Sequence, residues 1–203
     1  MYRLFIFFIM LLVFSAGEIR GAEIFCDPVL QPYLERLHRI REVRIVLNKI
    51  LINGSIHIVS RNCPLAAQFG AYWDRKERVI CIHCSHEMGD GEILGTLLFE
   101  LENAANDPCF ARVDALFLDG KIDGTRYAEF MEFLEYVHSL KAAKIAKEGI
   151  EAKILPLDAA LPIYPNFCTY LQAQQEGGHF SYYEKVTNES REQKSPANFE
   201  RLR

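Results

Sequence analysis

The densest gathering of chemically capable side chains in this chain is Cys81-Ile82-His83-Cys84-Ser85-His86. Two thiols three residues apart, with imidazoles beside them, can hold a zinc ion or exchange a disulfide. A zinc site wants further ligands at matching spacing, and Cys63, Cys109 and His179 stand isolated in the sequence. A reactive thiol wants a helix N-terminus against it, and the glycine-containing run His86–Gly91 separates Cys84 from the helix that follows. Structural disulfides are therefore the reading favoured for the six cysteines. A metal held by Cys81, Cys84, His83 and His86, or thiol–disulfide exchange through Cys81 and Cys84, are the alternatives. A second constellation is sparser. Glu100 lies inside the apolar run Leu97-Leu98-Phe99-Glu100-Leu101-Glu102-Asn103-Ala104. A carboxylate so placed is either a hydrogen-bond acceptor for a neighbouring loop or the base of a site. Asp119-Gly120-Lys121-Ile122-Asp123-Gly124 has the outline of a calcium loop but fails its chemistry, with Lys121 at a ligand position and Phe130 where a bidentate glutamate is required.

The elements that must position these groups follow from periodicity. Asp27-Pro28 predicts a helix start, and Leu30, Leu34, Leu37, Ile45, Leu47 and Ile50 carry it to the turn signal Asn53-Gly54. Residues 55–60 alternate as a strand, and 61–69, with Pro64 inside, read as irregular. Gly70–Trp73 and Arg78–Ile82 flank a short charged stretch and predict a hairpin. After Gly89-Asp90-Gly91 a helix runs from Glu92 to about Asn106, with Ile93, Leu97, Leu101 and Ala104 on its apolar stripe. A helical piece through Val113, Leu116 and Phe117 precedes a turn at 119–124. A longer helix then runs from Thr125 to about Glu148, its aromatic set (Tyr127, Phe130, Phe133, Tyr136) read as core. Pro156, Pro162 and Pro165 predict a loop-rich C-terminal segment. Within it, His179-Phe180-Ser181-Tyr182-Tyr183 is either a recognition loop or a closing strand. From Thr187 the chain is polar and predicted to be a flexible tail.

The order helix, strand, hairpin, apolar helix resembles the core of the zincin metallopeptidases. In that family a strand pair of the form G-x-Y…I-x-I lies over the site and is followed by a helix bearing H-E-x-x-H. Here Gly70, Tyr72, Ile80 and Ile82 match the strand pair, and Phe99-Glu100-Leu101-Glu102-Asn103 falls where H-E-x-x-H would be. The resemblance covers Gly70 to Ala104 directly. It implies that Glu100 corresponds to the general base, either vestigial or working, and that Phe99, Asn103 and Tyr72 face the cleft. It also shows the departure. Two histidines on one helical face hold zinc in a zincin, and phenylalanine and asparagine stand in their places. A third ligand would come from Glu132, Glu135 or His138. The implied product is a metal-free, non-catalytic relative that binds a peptide or partner protein at a vestigial cleft. The alternative is a zinc-dependent, peptidase-like hydrolase with Glu100 as base.

Export and composition bound the rest. Arg3 precedes the apolar run Leu4–Phe14, shorter than the ~20 residues a membrane span needs, and Ser15-Ala16-Gly17 supplies small residues for cleavage. Residues 1–17 are thus expected to be a signal peptide, 18–186 one exported α+β domain with a small sheet and a zincin-like core, and 187–203 the tail. A secreted or periplasmic location follows, with no membrane span after cleavage. The formal charge of −4 argues against nucleic acid as partner, because phosphate binding wants a basic face.

Overall fold

The computed structural model describes residues 21–61, 64–84 and 88–193. The expected signal peptide, Cys63 and His86 lie outside them. The fold is α+β. Among the described residues a sheet of four strands has the order β1 (Ile24–Cys26), β2 (Ile56–Ser60), β4 (Val79–Ile82), β3 (Ala71–Asp74). β1, β2 and β4 run parallel, in the register Ile24–Ile56 and Ile58–Ile80, while β3 returns antiparallel on β4 with Tyr72 opposite Cys81. The hairpin expected at 70–82 is therefore present and forms one end of the sheet. β2 alternates as its sequence dictates: Ile56 and Ile58 are buried, and exposed His57 stacks on Phe25.

The stretch read as one helix from Asp27 is two, α1 (Gln31–His38) and α2 (Arg41–Ile52), broken where Ile40 takes an extended conformation. The break turns Leu37 and Ile40 into the core together. Asp27 is not the cap; its carboxylate accepts the Ser60 N–H at 2.8 Å and ties β1 to β2. The segment expected to be irregular contains a short helix, α3 (Pro64–Phe69).

α4 (Asp90–Ala105) is the central element. Asp90 and Glu92 in its first turn suit the positive end of the helix dipole. Ile93, Leu94, Leu97, Leu98, Leu101 and Ala104 belong to one hydrocarbon core with α1, α2 and the sheet. Gly91 lies within the helix rather than before it. A Cβ there would sit 2.3 Å from the Asp158 carboxylate and 2.5 Å from the Ala159 nitrogen, so its absence lets the short 3-10 turn Leu157–Ala159 close over α4.

α5 (Asp107–Leu118) and α6 (Gly124–Glu151) follow, the second capped by Asp123, whose side chain accepts the Arg126 N–H at 2.8 Å. The 119–124 turn thus ends in a helix cap. The C-terminal segment is more helical than its prolines suggest. α7 (Phe167–Glu176) is capped by Asn166, and α8 (His179–Gln193) takes in the aromatic cluster read as a loop or strand. α8 also continues through Thr187, where a flexible tail was expected. Thr187 is buried, and its hydroxyl donates to the Glu184 carbonyl at 2.7 Å. No helix among the described residues is long and apolar enough to cross a membrane.

Candidate functional site

α4 has a second face. Thr96, Phe99, Glu100 and Asn103 recur at i, i+3, i+4 and i+7, which is one stripe of a helix, and all four line a cleft of about 960 Å³. β3 forms one wall of this cleft through Tyr72 and Trp73. Across from α4, Met131, Glu135 and Ser139 come from α6, and His179, Tyr182 and Tyr183 from α8. The sequence-chosen residues Glu100, Phe99, Asn103 and Tyr72 are therefore brought to one place.

Glu100 is 5 % exposed. Burial raises its carboxyl from the ordinary 4.5 to about 8; nearby Glu135 adds to the shift, and hydrogen bonds from the Asn103 side chain and the Trp73 backbone N–H oppose it. At neutral pH Glu100 is thus mostly protonated and is held between α4 and the edge strand. Asn103 is spent on two partners: its amide nitrogen donates to Glu100 at 3.2 Å, and its oxygen lies 2.9 Å from His138 Nδ1. Burial lowers His138 to about 3, with Lys141 and Lys49 contributing, so His138 is neutral and donates to the asparagine oxygen. It also meets Phe110 edge-on.

The metal that a zincin resemblance implies does not fit this geometry. Phe99 offers no donor atom, and both polar atoms of Asn103 are engaged. His138 faces Asn103, with Glu102 turned to Asn106.

A different group assembles at the far wall. Glu132, Glu135 and His179 have donor atoms within 4.8 Å of one another. His179 Nδ1 lies 2.9 Å from Glu132 and 3.7 Å from Glu135, and Tyr183 donates its hydroxyl to Glu135 at 2.5 Å. Burial alone would lower His179, but the two carboxylates raise it to about 9. Burial pushes Glu135 upward, opposed by His179. Of the earlier ligand candidates, Glu132 and Glu135 belong to this group and His138 does not. His179 was missed because Gly177-Gly178 suggested a loop. A helical signal was nonetheless present, since His179, Tyr182, Tyr183 and Val186 repeat at i, i+3, i+4 and i+7.

The cysteine motif builds nothing comparable among the described residues. Cys81 is buried in the sheet with its sulfur 3.8 Å from the Arg61 carbonyl. Neither it, His83 nor Cys84 joins a ligand group, and His86 is not described. Cys26, Cys84, Cys109 and Cys168 carry free thiols. Burial pushes Cys26 up to about 11, the opposite of what a reactive thiol needs.

Arg75, in the turn after β3, completes the cleft rim. It bonds Asp107 at 2.5 Å and Asp114 at 2.6 Å, and its guanidinium lies over Phe110. These contacts fasten the hairpin to α5. No family model, curated protein or solved structure matches this chain.

Proposed function

We propose that the cleft binds an extended peptide or a segment of a partner protein and does not hydrolyse it. The observation that carries this reading is the stripe on α4, where Phe99 and Asn103, which the zincin resemblance sets at the zinc-ligand positions, line a cleft of about 960 Å³. β3 supports the choice of occupant. It is the terminal strand of the sheet, with no strand beyond it among the described residues, and its side chains line the cleft. An extended chain laid along such an edge gains backbone hydrogen bonds at the groups other than the Trp73 N–H, which Glu100 already holds, while aromatic walls supply pockets for alternate side chains. Phe69, Tyr72, Trp73, Phe99, Tyr164 and Tyr170 give this cleft that aromatic character.

The zincin-like reading of the core belongs to the same proposal. It is supported by the hairpin lying beside α4 and by Glu100 facing the cleft next to the Trp73 backbone. A metal-dependent hydrolase with Glu100 as base is the second reading. One observation favours it: a carboxyl raised to about 8 is tuned near neutrality, as acid–base groups are.

The test is retention of a random decapeptide mixture on the immobilised protein, followed by sequencing of what is held. Selective retention that falls at least about tenfold in Phe99→Ala and in Tyr72→Ala, about 1.4 kcal/mol each, is expected. Ile52→Asp, exposed on α2 and absent from the cleft lining, leaves it unchanged. Retention indifferent to the two cleft substitutions would overturn the proposal.

A further inference from the structure

Within the wall formed by α6 and α8, Glu132 is completely buried, and its second carboxylate oxygen, Oε2, has no hydrogen-bond partner among the described residues. Buried polar atoms are almost always satisfied, and an orphaned carboxylate oxygen costs more than most because it carries or shares charge. Its other oxygen is already engaged by His179 Nδ1 at 2.9 Å. Glu135 is one helical turn further along α6, with one oxygen held by Tyr183 and the other 3.7 Å from His179. Two carboxylates and an imidazole, with donor atoms within 4.8 Å of one another, thus converge from two helices.

We propose that Glu132, Glu135 and His179 form a binding site for a divalent transition-metal ion, of which zinc is the type. Three features carry it together. Donor atoms around a tetrahedral zinc with bonds of about 2.0–2.1 Å lie a little over 3 Å apart, and the distances of 2.9 and 3.7 Å from His179 to the two carboxylates bracket that value. An ion chelated by both Glu132 oxygens would also give Oε2 the partner it lacks. Tyr183 holds Glu135 as outer hydrogen-bonding partners hold metal-bound carboxylates. The imidazole selects for zinc and the later transition metals over magnesium and calcium, which take oxygen. The helical spacing supports the same assignment. Glu132 and Glu135 stand at i, i+3 on α6, and His179 and Tyr183 at i, i+4 on α8, so each helix presents its pair on one face.

Glu135 and His179 also line the cleft, so the ion's remaining positions open onto it. This ligand set shares no residue with the phenylalanine–asparagine pair on α4. It stands independently of the peptide-binding reading, and neither result decides the other.

Isothermal titration with zinc chloride tests it, on the full chain purified without a histidine tag and stripped with chelator. One zinc per chain is expected, not displaced by millimolar magnesium. Glu132→Gln and His179→Ala should each weaken binding at least about a hundredfold, and Tyr183→Phe about ten- to a hundredfold. His138→Gln and the pair Cys81→Ser with Cys84→Ser should bind as the parent does. Zinc should raise the unfolding midpoint of the parent but not of Glu132→Gln, which shows that the variant folds and has lost the site. If His179→Ala fails to fold, Glu135→Gln takes its place. The proposal is overturned by the absence of saturable binding, by displacement with magnesium, by binding that survives in Glu132→Gln, or by binding lost with the two cysteines.

Discussion

α4 separates two interiors of opposite character. Toward α1, α2 and the sheet it presents Leu94, Leu97, Leu98 and Leu101 to other hydrocarbon side chains, all fully buried. Toward α6 and α8 it presents Glu100 and Asn103 to Glu135, His138 and His179, also mostly buried. The first interior needs only close packing. The second puts charge and hydrogen-bonding groups where desolvation works against folding, and apolar groups of similar size would be as stable or more so. A polar interior that costs stability and faces a cleft is the pattern the trade-off between stability and activity leaves at functional sites. The difference between the two sides of a single helix is the strongest indication in this molecule of where its function lies.

Substitutions can break or sharpen this contrast. The largest effect is expected on the hydrocarbon side: Leu98→Ala should lose about 2–5 kcal/mol in chemical denaturation, because the close packing leaves little room to collapse. If that loss were below that of any polar-side substitution, the contrast would fail.

Next comes the pH dependence of the metal-stripped protein. The Glu100 carboxyl titrates at about 8 when folded against about 4.5 unfolded, so the folded state binds more protons between those values. Its contribution to stability is full below pH 4.5 and lost as pH rises through 8. His138 acts at the other end. At about 3 folded against 6.5 unfolded, its contribution is present above pH 6.5 and lost as pH falls toward 3. Unfolding midpoints should therefore peak on the mildly acidic side of neutrality. Glu100→Gln should flatten the alkaline fall and be the more stable protein at pH 9, by on the order of a few kcal/mol. An unchanged alkaline limb in that variant would remove Glu100 from the account.

Asn103→Ala should cost about 1–3 kcal/mol, since it leaves two buried partners, Glu100 and His138, without their hydrogen bonds. Its thermal midpoint, measured beside that of Leu98→Ala, places the two interiors on one scale. The smallest effect is expected at the rim. Arg75→Ala removes two partly buried ion pairs at the edge of the fold and should cost about 1 kcal/mol, shrinking in high salt.

Which parts were legible in the sequence follows the same contrast. The hairpin, β2, α4 and α6 were readable because each carries a repeating apolar pattern over several turns or pleats, and periodicity reports burial directly. The break at Ile40 was not, because the apolar stripe runs through it and only tertiary packing shows the turn. Nor was β1, whose three residues are too few for a pattern and are defined by pairing with β2. Prolines at 156, 162 and 165 correctly marked a stretch without long helices but hid α7 and α8 behind them. On the site side, Glu100 and Asn103 could be found because a polar residue on an apolar helix stands out. Glu132 and Glu135 could be found as a pair, but their partner His179 is 47 residues along the chain from Glu132 and is joined to them only by the packing of α8 on α6.

The central claim is that the cleft holds a peptide intact, and the chain's single tryptophan, Trp73, lies in its wall. Titrating the protein with a decapeptide recovered from the retained mixture, while following Trp73 emission and the mass of the peptide, tests that claim most directly. A saturable emission change with the peptide mass unaltered after prolonged incubation is the predicted result. Shortened fragments, absent in Glu100→Gln, would contradict it and establish the hydrolase instead; an emission that does not respond would mean the cleft is not where the peptide binds.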